Sequence, residues 1–323
     1  MRQAPAFWRG GSALLPRLLS PVAAVTAAVT AHRVARPGWR APMPVICCGN
    51  VTVGGAGKTT LALDLGRRLL ARGRSLHFLS RGYRGSRHGT HRVGASDTAA
   101  EVGDEPLLLA EVAPTWIGAD RAASARAAVE AGADVLVLDD GLQNPTLCKD
   151  LSLLVIDGAG GFGNGRILPA GPLRESVAAA ASRCHAAVLI GADRTGAAAT
   201  LPPGLPLLRA RLVQGPEVEA LAGRRVFAFA GIASPDRFFA SLGAAGLLLA
   251  GTAAFPDHHP FTPGELHRLL AEAARLGAVA VTTPKDAVRL PADLRTEVRV
   301  IGVGIAWDDP AAIEALLSNC LML

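Results

Sequence analysis

The 323 residues are half apolar, with only 4% aromatic and 19% charged side chains, a composition that excludes a disordered chain and allows two domains of ordinary size. Five cysteines (Cys47, Cys48, Cys148, Cys184, Cys320) are odd in number and lie mostly in apolar runs, which fits buried thiols in a reducing compartment and argues against a disulfide framework or a zinc site. The net charge of +6 is unevenly placed: Arg2, Arg9, Arg17, Arg33, Arg36, Arg40 and Lys58 all precede Asp64, the first acidic residue, so the basic excess belongs to the N-terminal segment.

That segment, residues 1–40, carries Leu14, Leu18, Val22, Val25 and Val29 at helical spacing, interrupted by Pro16, Arg17 and Pro21. A membrane span needs about 20 predominantly apolar residues, and no convincing signal-peptide cleavage site follows. The pattern predicts a basic amphipathic helix on an anionic membrane surface. The alternative is a helix whose apolar face packs on the protein's own core.

Residues 44–49 read as a short apolar strand and 61–70 as a helix, with GNVTVGGAGKTT (49–60) around the turn between them. The usual phosphate loop, G-x-x-x-x-G-K-[ST], wants glycine where Thr52 stands. The variant of partner-activated ATPases wants lysine where Val53 stands. Gly54, Gly55 and Gly57 suit the positive φ angles that turn backbone N–H groups inward on an anion, and the helix adds its positive end. A nucleotide-phosphate loop is therefore expected at Thr52, Val53, Gly54, Gly55, Ala56, Gly57, Lys58, Thr59 and Thr60. In it Lys58 reaches the β and γ phosphates and the Thr59 hydroxyl ligates magnesium.

Further along, a strand at 76–79 runs into SRGYRG (80–85), and GDEP (103–106) puts Asp104 and Glu105 before a helix, equally suited to capping it or to catalysis. After an alanine-rich helix at 122–131, the apolar run 135–138 is typical of a strand buried on both faces and ends in DDGLQ (139–143). Either Asp139 or Asp140 could hold magnesium there; the competing reading is an N-cap and a turn at Gly141. Arg81, Arg84 and Arg174 suit bidentate phosphate recognition. Strands at 153–156 and 187–190 follow, then a proline- and glycine-rich connector or β-ribbon. A second α/β unit has strands at 226–230 and 278–282 and a helix at 263–276. Its FPDHHPFT (255–262) sets Asp257 beside His258 and His259, suited to acid–base chemistry or to hydrogen bonding.

Alternating strands and helices predict an α/β fold, a P-loop NTPase-like parallel sheet domain and a second, smaller α/β domain, with ligands beyond the strands' carboxyl ends. The divisions are 1–40 for membrane docking, 41–205 for the P-loop domain, 206–222 for the connector and 223–323 for the smaller domain.

The ordered set GNVTVGGAGKT, SRGYRG, GDEP, DDGLQ, ILPAGPLRE, AGIASPDRFF, FPDHHPFT and TPKDAV resembles the tetraacyldisaccharide 4'-kinase family over nearly the whole chain. In that family threonine at position 52 is usual; Thr60 departs mildly, since proline is common there. The resemblance implies transfer of the γ-phosphoryl group of ATP to the 4'-hydroxyl of an acylated glucosamine disaccharide 1-phosphate. The work would be done by a peripheral protein at the cytoplasmic face of the bacterial inner membrane, without nucleic acid as a partner. It implies a catalytic aspartate at Asp104, a partner histidine at His258, and Gln143, Arg121, Arg174 and Glu175 lining the phosphate and substrate region. ATP and Mg2+ are the cofactors implied, with Glu175 counted among the metal ligands beside Thr59, Asp139 and Asp140.

Overall fold

The computed structural model describes residues 5–8, 10 and 14–322; Arg2 and Arg9 lie outside that range. Among the described residues thirteen strands form two sheets. In chain order they are β1 (Val45–Gly49), β2 (Leu76–Ser80), β3 (His91–Arg92), β4 (Thr115–Ile117), β5 (Val135–Asp139), β6 (Leu151–Asp157), β7 (Ala186–Ile190), β8 (Leu207–Gln214), β9 (Arg225–Ala230), β10 (Leu248–Ala254), β11 (Val279–Thr282), β12 (Arg299–Val300) and β13 (Val303–Trp307). The larger sheet runs β13-β8-β7-β6-β1-β5-β2-β4-β3 and the smaller β10-β9-β11-β12.

The interior of the large sheet is parallel, and only its edge pairs, β3 with β4 and β13 with β8, are antiparallel. β1, β2, β5 and β7 are buried at every position, which is why they read as unbroken apolar runs: crossover helices cover both faces. Successive residues of β1 feed opposite cores. Ile46 and Cys48 pack with Leu61, Leu65 and Leu69 of the helix Lys58–Ala71, whereas Val45 and Cys47 pack with Ala125 and Ala128 of the helix Arg121–Glu130.

The second sheet, entirely parallel, repeats the plan. Val226, Ala228 and Ala230 face Phe238, Phe239 and Leu242 of the helix Pro235–Ala244. Phe227 and Phe229 face Leu266 and Leu269 of the helix Pro263–Arg275. That helix starts in a capping box in which Thr262 and Glu265 satisfy each other's backbone N–H.

Two of the expected boundaries move. Residues 206–222 were expected to be a connector or β-ribbon, yet β8 is also a strand of the large sheet, with Leu207–Ala210 paired to β7. Only its outer half makes a two-stranded ribbon, and the partner is β13. The smaller unit was expected to run to residue 323, but β13 and the helix Pro310–Leu321 return to the large sheet. Ile313 and Leu317 are fully buried against the phosphate-loop helix. Trp307 Nε1 donates to Asp64 Oδ2 at 2.9 Å, and Glu314 pairs with both Arg68 and Arg72. The smaller unit is thus an insertion between β8 and β13. Its two crossings lie side by side, the Gly215 N–H donating to the Gly302 carbonyl at 2.7 Å.

The N-terminal helices Leu14–Leu18 and Ser20–Val34 answer the question left open by the sequence. Leu14, Leu18, Val22, Val25 and Val29 are all exposed, and the residues buried are Pro16, Ala23 and Thr30. The apolar face therefore does not pack on the protein's own core. Among the described residues no helix is long and apolar enough to cross a membrane.

Candidate active site

The phosphate loop leaves β1 at Gly49 and enters the helix Lys58–Ala71 through Gly57, whose φ of 82° is left-handed. A Cβ there would also come within 2.8 Å of Ile190 Cδ1, a terminal methyl that can turn aside, so it is the left-handed φ that calls for glycine. No side chain caps the helix. Its first N–H groups are left to an incoming anion, at the positive end of the helix dipole. Val53, where a lysine would mark a partner-activated ATPase, is instead tied down by its N–H to the Pro172 carbonyl at 2.9 Å.

Lys58 is buried, with its ammonium 3.2 Å from Asn50 Oδ1 and 3.7 Å from Asp140 Oδ2. Thr59 Oγ1 donates to Asp139 Oδ2 at 2.8 Å. Asp139 closes β5 and is enclosed; burial pushes its carboxyl up to about 7, against the pull of Lys58 and the Thr59 hydroxyl. Its second oxygen, Oδ1, is buried without a partner. A half-satisfied carboxylate beside a threonine hydroxyl is the donor set that a magnesium ion takes up, the remaining positions going to phosphate and water.

Asp140 adopts a left-handed φ of 56°, the expected turn at Gly141 follows it, with the Asn144 N–H donating to the Gly141 carbonyl at 3.0 Å, and no helix follows that either aspartate could cap. The backbone reversal points the two adjacent carboxylates at different partners. Asp140 meets the Arg174 guanidinium, with contacts of 3.1 and 3.2 Å. Burial would raise its carboxyl, but Lys58 and Arg174 outweigh that and hold it below its ordinary value.

Gln143 Nε2 bridges the Asn50 carbonyl and Glu175 Oε1, both at 2.9 Å. Glu175, expected among the metal ligands, has both oxygens engaged by Arg183, at 2.8 and 2.7 Å. In this arrangement it buttresses Gln143 and through it the loop, and Oε2, which accepts from Arg183 alone, keeps a second lone pair. Arg121, expected to line the substrate region, is enclosed. Burial draws its guanidinium down to about 10, with Asp140 pulling the other way, and one Nη donates to the Gly118 carbonyl. It acts on the site through its charge. Arg81 stands exposed just past β2, in a glycine-rich turn with Tyr83 and Arg84.

The two units meet at GDEP. Asp104 opens the helix Asp104–Ala110, and its Oδ2 lies 2.6 Å from His258 Nδ1 and 3.4 Å from Arg289 Nε. Glu105 pairs with Lys285 at 2.9 Å and is near enough to Asp139 to disfavour its ionisation. His258 is held at a left-handed φ of 63°, a costly conformation for a non-glycine residue and one that clusters at functional sites. Its neighbour His259 has a structural task, stacking on Phe255 at 4.7 Å and bonding Glu265 at 3.2 Å.

Asn50, Arg183, Lys285 and Arg289 were not singled out by sequence reasoning. Asn50, a polar residue ending a fully apolar strand, carried a readable signal. Lys285 lies in the stretch TPKDAV, and Arg289 is the residue that follows it. Arg183 carried none.

A parallel sheet whose central strand feeds a glycine loop, with lysine and threonine at the following helix and an aspartate–histidine pair where the two units meet, defines a P-loop enzyme of the phosphotransferase class. A family model described as tetraacyldisaccharide-1-P 4'-kinase matches residues 15–321. The tetraacyldisaccharide 4'-kinase of Gluconacetobacter diazotrophicus is 60% identical over 320 residues, spanning 98% of both chains. That of Rhodospirillum centenum is 55% identical, over 99% of this chain and 97% of its own. A crystal structure of Aquifex aeolicus LpxK in complex with ATP superposes with a TM-score of 0.77 at 26% identity, covering 95% of this chain and 99% of that one. The chain belongs to the tetraacyldisaccharide 4'-kinase family.

Proposed function

We propose that the protein transfers the γ-phosphoryl group of ATP to the 4'-hydroxyl of a tetraacylated glucosamine disaccharide 1-phosphate, giving the 4'-phosphorylated lipid A precursor. The observation that best supports this is the 2.6 Å contact between Asp104 and His258, which joins the smaller unit to the unit that carries the phosphate loop. Phosphoryl transfer is mainly positioning and charge neutralisation, and the chain's residues divide those tasks.

The loop 52–60 and Lys58 cradle the β and γ phosphates. Thr59 and Asp139 would hold Mg2+, with Asp140 close by. Bound there, the ion would neutralise charge on the β and γ oxygens. Asp104 takes the proton of the sugar hydroxyl. All contacts described for its carboxylate fall on Oδ2, which leaves Oδ1 to face the acceptor. His258 and Arg289 keep the carboxylate oriented. The smaller unit, seated over GDEP, keeps water from competing with the sugar. Arg174 and Arg81 supply charge for phosphate groups of donor or acceptor.

The exposed face Leu14, Leu18, Val22, Val25 and Val29, with the exposed Arg17, Arg33 and Arg36 on the same segment and no acidic residue before Asp64, docks on the anionic cytoplasmic surface of the inner membrane, where a lipid acceptor resides. Labelled ATP offered with a panel of acceptors tests the function. Label should move to the lipid disaccharide; transfer only to water, or equal transfer to soluble sugars, would overturn the reading.

A further inference from the structure

We infer that Asn164 is a positioning residue for the phosphate loop, tying residues 51–53 to the N-terminal segment; this rests on reading residues 52–60 as the loop that holds ATP. The tie begins at the short 3-10 turn Ala6–Trp8. The Asn164 N–H donates to the Trp8 carbonyl at 2.7 Å, and the Asn164 amide Nδ2 donates to the Phe7 carbonyl at 3.0 Å. Trp8 returns a bond of its own, from Nε1 to the Pro169 carbonyl at 3.2 Å. Arg166 reaches the start of the exposed helix, its Nη1 donating to Ser20 Oγ at 3.3 Å.

The Asn164 side chain also shapes its own loop. Nδ2 donates to the Ala170 carbonyl at 2.9 Å, and Oδ1 accepts from the Arg166 N–H at 3.0 Å. One amide therefore holds the N-terminal turn and the 164–170 backbone against each other, which takes a donor and an acceptor in the same side chain.

The connection continues into the phosphate loop through backbone alone. The Leu173 N–H donates to the Arg166 carbonyl at 3.0 Å, and its carbonyl accepts from the Leu168 N–H at 2.8 Å. Residues 172–174 in turn run along the loop. The Val53 N–H donates to the Pro172 carbonyl at 2.9 Å, the Arg174 N–H donates to the Val51 carbonyl at 2.7 Å, and Leu173 bridges Thr52. Gly163 brings the two ends together directly. Its φ of 58° is left-handed, and a Cβ there would lie 2.6 Å from the Trp8 carbonyl oxygen and 2.7 Å from Pro172 Cγ. The turn and the proline that holds Val53 approach through space a side chain would fill. Farther along the loop support is absent: a Cβ at Gly54 or Gly55 would meet nothing within 4 Å. The backbone at 51–53 is thus where the loop is steadied before Gly57, and Asn164 steadies it from the far side of Pro172.

Asn164→Asp, Asn164→Ala and Trp8→Phe, each in the full chain, test the tie. Asn164→Asp keeps the acceptor for Arg166 and loses the donor to Phe7 and Ala170; Trp8→Phe removes only the bond to Pro169. The KM for ATP should rise about three- to tenfold in the Asn164 variants and about threefold in Trp8→Phe, as expected for losing one or two neutral hydrogen bonds. The dissociation constant of ATP, measured by calorimetry without acceptor, should rise in step. The kcat at saturating ATP should stay within about twofold of the parent, the pattern of an interaction that serves binding equally in ground and transition states. A purely structural role would lower the thermal midpoint and leave the KM for ATP where it is; that result, or an unchanged dissociation constant, overturns the inference. Trp8→Phe leaves residues 163–174 intact and carries the test if the Asn164 variants do not fold. Should Lys58→Ala bind ATP as tightly as the parent, it is the reading of residues 52–60 as the ATP loop that fails.

Discussion

Breaking the Asp104–His258 pair is the perturbation whose size the structure allows to be worked out. The 2.6 Å contact joins side chains that are 5% and 10% exposed, so water replaces little of what is lost. A hydrogen bond to a charged group is worth about 1.5–3 kcal/mol, which corresponds to roughly ten- to 150-fold in rate if it is needed in the transition state. His258→Gly removes it without backbone strain, since glycine accepts the φ of 63°. Asp104→Asn removes the base, a change expected to cost about 10²- to 10⁴-fold. The two losses should not multiply, because the histidine works only through the aspartate. The double variant should match Asp104→Asn within about threefold, the spread that residual coupling allows. Initial rates of phosphoryl transfer under saturating ATP and acceptor give the comparison. Losses that multiply, or an Asp104→Asn enzyme near parental rate, would refute the reasoning.

Asp139 offers a pH test. Its carboxyl is raised from 3.8 to about 7 in the folded protein, so between those values the native state binds more protons than the unfolded one and stability falls as pH rises. Without metal or nucleotide the thermal midpoint should decline from pH 4 to 7 on this account; Asp139→Asn should flatten that slope, raise the neutral-pH midpoint, and lose stabilisation by Mg2+ and ATP. Replacing Leu18 and Val25, 68% and 63% exposed, by serine should weaken binding to anionic vesicles about tenfold each, from roughly 1.3 kcal/mol of apolar burial per side chain. Solution kcat on a detergent-dispersed acceptor should be far less affected, and vesicle sedimentation reads the difference. Leu317→Ala should cost about 2–5 kcal/mol in denaturant unfolding and weaken nucleotide binding, because the C-terminal helix is part of the P-loop unit; a loss confined to the smaller unit would contradict the topology.

The parallel sheet was legible because strands buried on both faces leave unbroken apolar runs, as in 135–138, and because a glycine loop before a helix has few other uses. Asp104 and His258 could be named from the resemblance, but their contact could not, since 154 positions separate them and no local pattern encodes a meeting across two units. The return of residues 303–321 to the first sheet was hidden for a similar reason. β13 is a short edge strand whose partner lies far back in the chain, and short apolar stretches do not declare which sheet they join. Glu175 shows the other limit: nothing in the stretch ILPAGPLRE tells that the Arg183 guanidinium meets both its oxygens. The N-terminal face was readable as apolar and helical, whereas its exposure, which separates membrane docking from core packing, is a property of the folded chain alone.

The most direct test of the central claim pairs an acylated glucosamine disaccharide 1-phosphate with its 4'-deoxy analogue, each incubated with γ-labelled ATP and Mg2+. The account predicts label in the first lipid, located at the 4' position by fragmentation mass spectrometry, and none in the second. Equal labelling of both, or release of label to water at the same rate with either, would contradict it.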